Sequence, residues 1–224
     1  MLRSKAYWHF RVAVAFCMAL AMIVAAFIYS YGKNDSFLII NHLNTTAFDY
    51  FFQYYTFLGD GLLWIPLLAF VAVRKRDFIS AVLLAFVVCT LLTQFSKWVI
   101  FPDAMRPVAL LQQKVHIITG LTIHKTSSFP SGHTSTAFTF ALLLAFLARQ
   151  RFLTFFFPVV AFFVGYSRVY LSQHFVTDVF AGMLVGIISA FTALLFYHTY
   201  IVKKKVGTSR QPVLVEVCRE EEGV

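Results

Sequence analysis

Three short strings in this 224-residue sequence carry side chains that could act on a phosphate. The first is Lys97 followed, after the eight residues 98–105, by Arg106-Pro107. Taken alone, this pair reads more readily as a lysine reaching for the membrane surface and an interfacial arginine. The second string is Phe129-Pro130-Ser131-Gly132-His133-Thr134. Pro, Ser and Gly permit a tight turn into a helix start, whose free N–H groups and serine hydroxyl favour an anion. His133 can then exchange a proton beside that anion. An ordinary helix cap would explain Ser131 and Gly132 but not His133. The third string is Ser167-Arg168, then His174, then Asp178. Arg168 stands at the end of an apolar run, where a charge is costly. His174 and Asp178 are four apart, so a helical stretch would place them on one face. A carboxylate there can hold one ring nitrogen protonated and leave the other free to attack. The competing reading is an interfacial His-Asp pair that caps the next helix.

Combined, the strings offer three cations (Lys97, Arg106, Arg168), an anion nest (Ser131, Gly132) and two histidines with a carboxylate. That set suits phosphoryl transfer. The cations neutralise the phosphoryl oxygens, one histidine attacks phosphorus and the other protonates the leaving oxygen. The chemistry calls for no metal and no other cofactor. Asp35, Asp49, Asp60, Asp103 and Asp178 are scattered along the chain and do not form the cluster that a two-metal site needs.

The elements that must position these groups are membrane-like. The chain is 59% hydrophobic and 13% charged, against about 45–50% apolar and ~25% charged in a soluble domain. Six apolar runs, at 12–30, 57–73, 78–101, 134–148, 152–171 and 179–200, approach the ~20 residues that span a bilayer. The expected fold is all-α: a six-transmembrane-helix bundle with an interfacial amphipathic helix at 32–56, where aromatic and polar residues mix. A polar loop is expected at 102–130. Residues 1–206 form one membrane domain, and 207–224 form a disordered cytoplasmic tail. The first run exceeds a cleaved signal core and reads as a retained signal anchor.

The net charge of +9 would also fit a nucleic-acid binder, but the basic residues fall in short clusters between apolar runs. With six spans, thirteen lie on one side: Arg3, Lys5, Arg11, Arg74, Lys75, Arg76, Arg149, Arg151, Lys203, Lys204, Lys205, Arg210 and Arg219. The other six, Lys33, Lys97, Arg106, Lys114, Lys125 and Arg168, lie opposite. Positive charge marks the cytoplasmic side, so both termini are expected there and the phosphate-binding groups outside. Cys17 and Cys89 sit in apolar runs and read as small hydrophobes, Cys218 as a tail thiol.

The string Pro130-Ser131-Gly132-His133, followed by Ser167-Arg168-x5-His174-x3-Asp178, resembles the PAP2 (type 2 phosphatidic acid phosphatase) superfamily, in its membrane lipid phosphatase branch. The resemblance covers Lys97 to Asp178. It implies that His174 is the nucleophile and forms a phosphohistidine, that Asp178 orients it, and that His133 is the general acid. Lys97, Arg106, Ser131, Gly132 and Arg168 would hold the phosphate. One position departs from the family: six residues usually separate the lysine from Arg-Pro, and here there are eight. Either a bulge near Pro102-Asp103 leaves Lys97 in place, or Lys97 leaves the site. The implied substrate is a phosphorylated lipid, with lipid A and undecaprenyl diphosphate foremost, in a bacterial inner membrane with the site facing the periplasm. Membrane lipids surround the chain, and neither nucleic acid nor an obligate protein partner is expected. A lipid phosphotransferase using the same histidine is the alternative. A transporter fits less well, because the charges lie at span ends and no repeat is visible.

Overall fold

Backbone placed in lipid must satisfy its own hydrogen bonds, and helices do so within one segment. A computed structural model describes residues 5–202 except 119 and 123, and all regular structure among them is helical. The main helices are α1 (Lys5–Asn41), α2 (Thr46–Tyr55), α3 (Trp64–Arg74), α4 (Ile79–Phe95), α5 (Pro107–Leu111), α6 (Gly132–Ala148), α7 (Arg151–Tyr170) and α8 (Val176–Phe196). The tail at 207–224 lies outside the described residues.

Among the described residues, four stretches are long and apolar enough to cross a membrane: Ala6–Asn41, Arg76–Ile100, Arg151–Tyr170 and Val176–Ile201. The run at 57–73, expected as one span, is broken. Thr46–Gly59 and Gly61–Arg74 qualify only as a pair, bent by 47°. The break is Gly59-Asp60-Gly61, where single 3-10 turns flank Asp60 and its carboxylate accepts the Leu62 N–H at 2.8 Å. The expected amphipathic helix at 32–56 is two pieces. Gly32, at φ 72°, interrupts α1 before helix resumes to Asn41. Thr45 then caps α2, its side chain accepting the Phe48 N–H at 3.2 Å. Within the loop at 102–130 the described residues include the short helix α5, started by Pro107 at a position where its missing N–H costs nothing, and a 3-10 turn at Gln112–Lys114.

α6 is the hub. Its 17 residues span about 26 Å, and it packs against α1, α4, α7 and α8. Every residue from 134 to 143 is buried. With so little surface left for lipid, it carries Ser, Thr and Ala where its neighbours carry large apolar groups, and small side chains let helices approach closely. The outward faces show the reverse. Met22 and Ile23 on α1, Leu91 and Phe95 on α4, Phe152 on α7 and Leu195 on α8 are exposed, the kind of surface that lipid covers.

The tightest approach is α6 to α8, through Gly182 and Gly186, four apart on one face of α8. A Cβ on Gly182 would stand 2.7 Å from the Ser131 carbonyl oxygen. On Gly186 it would stand 2.6 Å from Phe138 Cβ and 2.7 Å from the Ser135 carbonyl oxygen. Both neighbours are attached to α6 backbone and cannot move alone. Gly186→Leu should therefore force the helices apart and destabilise the fold by about 1–3 kcal/mol or more. Gly61→Ala, which meets open space, serves as the control. Thermal unfolding in detergent should show a lowered midpoint for the first variant and little change for the second.

Candidate active site

The turn between α7 and α8 carries His174. It is held from below by one carbonyl: the Arg168 oxygen accepts the N–H of Gln173 at 3.0 Å and of His174 at 3.2 Å. Ser172 takes a left-handed conformation, φ 60°, which reverses the chain. Four residues on, Asp178 sits in the first turn of α8. Its Oδ2 accepts the Phe175 N–H at 3.0 Å and the Ser128 hydroxyl, and lies 3.4 Å from His174 Nδ1. One carboxylate therefore caps α8 and points the imidazole. His174 and Asp178 are each only 2% exposed. A proton on Nδ1, the nitrogen turned to the carboxylate, would leave the Nε2 lone pair free.

Burial is the largest influence on the His174 imidazole and pushes its pKa below the ordinary 6.5. Asp178 opposes that shift, while Arg106 and Arg168 add to it. These influences together favour the neutral ring over the charged one.

The helix start at 131–134 is bound to the same carboxylate residue through backbone, the Ser131 N–H donating to the Asp178 carbonyl at 3.0 Å. Ser131 caps α6. Its Oγ accepts from the Thr134 N–H at 3.4 Å and the Thr134 hydroxyl at 2.8 Å, leaving its own proton to donate. The first N–H groups of α6, at Gly132 and His133, have no acceptor within the helix.

Three cations converge here. Arg106 is 7% exposed. Its Nε donates to the Thr126 carbonyl at 3.0 Å, and its Nη1 to the Gln173 carbonyl at 3.1 Å and side-chain oxygen at 2.9 Å. Burial lowers its pKa from the ordinary value, with Asp178 opposing. Arg168 Nη1 donates to the Thr56 hydroxyl at 2.8 Å, while its Nε is buried without a hydrogen-bond acceptor among the described residues. A buried donor of this kind calls for an acceptor. Lys97 lies within electrostatic range of Arg106, Arg168 and Asp178. The extra residues after Lys97 are taken up locally. Ser96–Ile100 form a widened turn closed by the Phe101 N–H on the Ser96 carbonyl at 2.8 Å, and the chain turns again at Pro102-Asp103. His133 is within electrostatic range of Lys97, Arg106, Arg168 and His174. The structure thus brings together all eight residues singled out in the sequence.

It also adds some that sequence reasoning missed. Asp60, counted there among scattered acids, has Oδ2 3.9 Å from His133 Nε2. It is carried in by Gly59, where a Cβ would stand 2.6 Å from the His133 carbonyl oxygen and from Val164 Cγ1. A carboxylate between glycines inside an apolar run was the available signal. Ser128, Gln173 and Thr56, which hold Asp178 and the arginines, gave none. A second polar network braces the His174 turn from outside. Asn41 Nδ2 donates to the Tyr170 carbonyl at 3.0 Å and the Ser172 hydroxyl at 2.9 Å. Asp49 accepts the Tyr170 hydroxyl at 2.6 Å and pairs with His116 at 3.1 Å. Among the described residues, no group of three or more His, Cys, Asp or Glu side chains is placed to hold a metal ion.

Comparison with known proteins gives this arrangement its relatives. The sequence profile of the PAP2 superfamily matches residues 78–201, more than half of the chain. The lipid A 4'-phosphatase of Bacteroides thetaiotaomicron is 28% identical over 176 residues, covering 71% of this chain and 73% of that protein. The undecaprenyl-diphosphatase of Sulfolobus acidocaldarius is 27% identical over 176 residues, covering 76% and 81%. The crystal structure of Aquifex aeolicus LpxE superposes with a TM-score of 0.65 at 32% identity, over 72% of this chain and 94% of that one. On these matches the chain belongs to the PAP2 superfamily, as a phosphatase built into a membrane.

Proposed function

We propose that this protein hydrolyses the phosphate of a membrane lipid through a phosphohistidine on His174, using cationic side chains and no metal. The observation that carries this reading is the His174–Asp178 pair: a buried ring whose Nδ1 lies 3.4 Å from a carboxylate, in electrostatic range of Arg106 and Arg168. Phosphate oxygens are held by Lys97, Arg106 and Arg168, by the Ser131 hydroxyl and by the N–H groups at the start of α6. The His174 Nε2 lone pair attacks phosphorus. The bond from phosphorus to the ester oxygen breaks, and His133 gives its proton to that oxygen. Water then attacks the phosphohistidine. His133 takes back a proton, the P–N bond breaks, and inorganic phosphate leaves.

The relatives named for lipid A and for undecaprenyl diphosphate support a lipid substrate of these classes. The four long helices, the bent pair and α6 together fit six crossings. The thirteen-to-six distribution of basic residues then supports cytoplasmic termini and a site on the periplasmic face of a bacterial inner membrane. Residues 33–55 fit the interfacial level on the same side, where the apolar chains of a substrate could stay in lipid while its phosphate reaches His174.

Three outcomes test the reading. His174→Ala should abolish turnover while leaving folding intact, and acid-labile phosphoenzyme trapped from the wild type should be absent from the variant. His133→Ala should slow release of a lipid alcohol by about 10²–10⁴-fold, and of p-nitrophenol much less. Free phosphate and trapped phosphoprotein are the measurements, taken with EDTA present.

Acidity gives a second test. Because the folded chain keeps His174 neutral below its ordinary pKa, phosphoenzyme formation should persist as pH falls through about 6.5. Rapid-quench measurements across the range should show no half-loss near that value. A midpoint there would mean that the ring titrates as an exposed histidine.

Orientation is tested with Lys125→Cys and Lys75→Cys, each in a background lacking Cys17, Cys89 and Cys218. In intact cells, a membrane-impermeant thiol reagent should label position 125 and spare position 75. The reverse pattern would turn the site to the cytoplasm.

A further inference from the structure

Beside His133 lies a pocket of about 210 Å³ between α3, α4 and α6. Sites that enclose a whole drug-sized ligand run to about 300–1,000 Å³, so this one suits one end of a lipid. Trp64 and Phe86 form its apolar wall, and Thr90, Thr93, Gln94 and Thr136 supply its polar groups. No lysine or arginine lines it. The Thr93 hydroxyl is buried with no oxygen or nitrogen partner among the described residues; only the weak thiol of Cys89 lies beside it. Polar groups inside membrane helices are costly unless they are used. A Cβ on Gly132 would find Thr93 as its nearest neighbour, at 3.6 Å, so a side chain there would project toward this space. A negative charge stands beside it: Asp60, 3.9 Å from His133 and flanked by two glycines that line the pocket.

Resting on the phosphatase reading above, we infer that this pocket receives the leaving group, and that the leaving group is an uncharged, hydroxyl- or amide-bearing unit. A sugar or a glycerol that carries a phosphate monoester fits this description. When the ester bond to phosphorus breaks, the oxygen that takes the His133 proton becomes a neutral alcohol, and the pocket's hydroxyls and the Gln94 amide bind its neighbours. A prenyl diphosphate would instead release a prenyl monophosphate. That anion would enter a pocket whose lining carries no lysine or arginine and would lie near Asp60. The geometry selects against it.

The test uses the full-length protein in mixed micelles. kcat/KM for phosphate release is compared between a glycolipid phosphate monoester, a glycerol-borne lipid phosphate monoester and undecaprenyl diphosphate, with p-nitrophenyl phosphate as an acceptor-poor reference. The monoester lipids should exceed the diphosphate by about tenfold or more. Each lost hydrogen bond is worth roughly three- to tenfold, so Thr93→Val and Gln94→Leu should reduce turnover of the monoester lipids by that factor more than turnover of p-nitrophenyl phosphate. Asp60→Asn should narrow the gap between monoester and diphosphate. Thermal unfolding checks that each variant is folded. Preference for the diphosphate, or equal losses on all substrates in Thr93→Val and Gln94→Leu, would overturn the assignment. If the folded wild type releases phosphate from none of the lipids, the lipid phosphatase reading itself fails, and this inference with it.

Discussion

One carboxylate ties the site together. Asp178 accepts the hydroxyl of Ser128 from the long loop, caps the backbone at the start of α8 and faces the ring of His174. Its own carbonyl takes the N–H of Ser131, at the start of α6. Two stretches more than forty residues apart, 128–131 and 174–178, are therefore registered against one residue by hydrogen bonds in a buried, low-dielectric place. There such bonds are strong, and leaving any of them unmade is costly. The glycines at 182 and 186 make that register possible, because they bring α8 within backbone distance of α6. Helix contact and site geometry here are one constraint.

Around that centre the molecule gathers like charge. Arg106, Arg168, Lys97 and two histidines lie within mutual electrostatic range, an arrangement that repels itself until an anion arrives. Rigid partners hold it open: Gln173 and Thr126 for Arg106, Thr56 for Arg168. Preorganised charge of this kind acts on a developing negative charge without having to rearrange at the moment of reaction. The packing of the buried hub helix and the hydrogen bonds from Asn41 to Tyr170 and Ser172 hold the surrounding backbone in place.

Much of this was legible in the sequence, for specific reasons. The eight site residues lie in strings whose spacing matches local turns and helix starts, so chemistry and geometry were encoded within a few residues of each other. The long apolar runs announced helices because hydropathy over ~20 residues is a strong signal. Asp60 was misjudged, since its meaning depends on Gly59 admitting the segment against α6, a contact between elements more than seventy residues apart. The bend in the 57–73 run escaped notice for the same reason, although Gly59-Asp60-Gly61 marked the place. α6 matches the apolar run at 134–148, although a helix buried on nearly all sides no longer needs the lipophilic stripe by which spanning helices are recognised. The single amphipathic helix expected at 32–56 became two pieces because Gly32 and Thr45 each punctuate the chain locally, a finer grain than composition shows.

The widened turn at Ser96–Ile100 carries a wider lesson. An insertion of two residues between Lys97 and Arg106 leaves the ammonium in range of its companions, because one i→i+5 closure and one surface turn absorb the added length. Backbone that loops out costs little when the termini of the insertion stay fixed. What must be preserved between such chains is therefore the position of a charge and not a count of residues. A search pattern written with fixed gaps would pass over sequences like this one, and an alignment that penalises the gap would displace the lysine by two places.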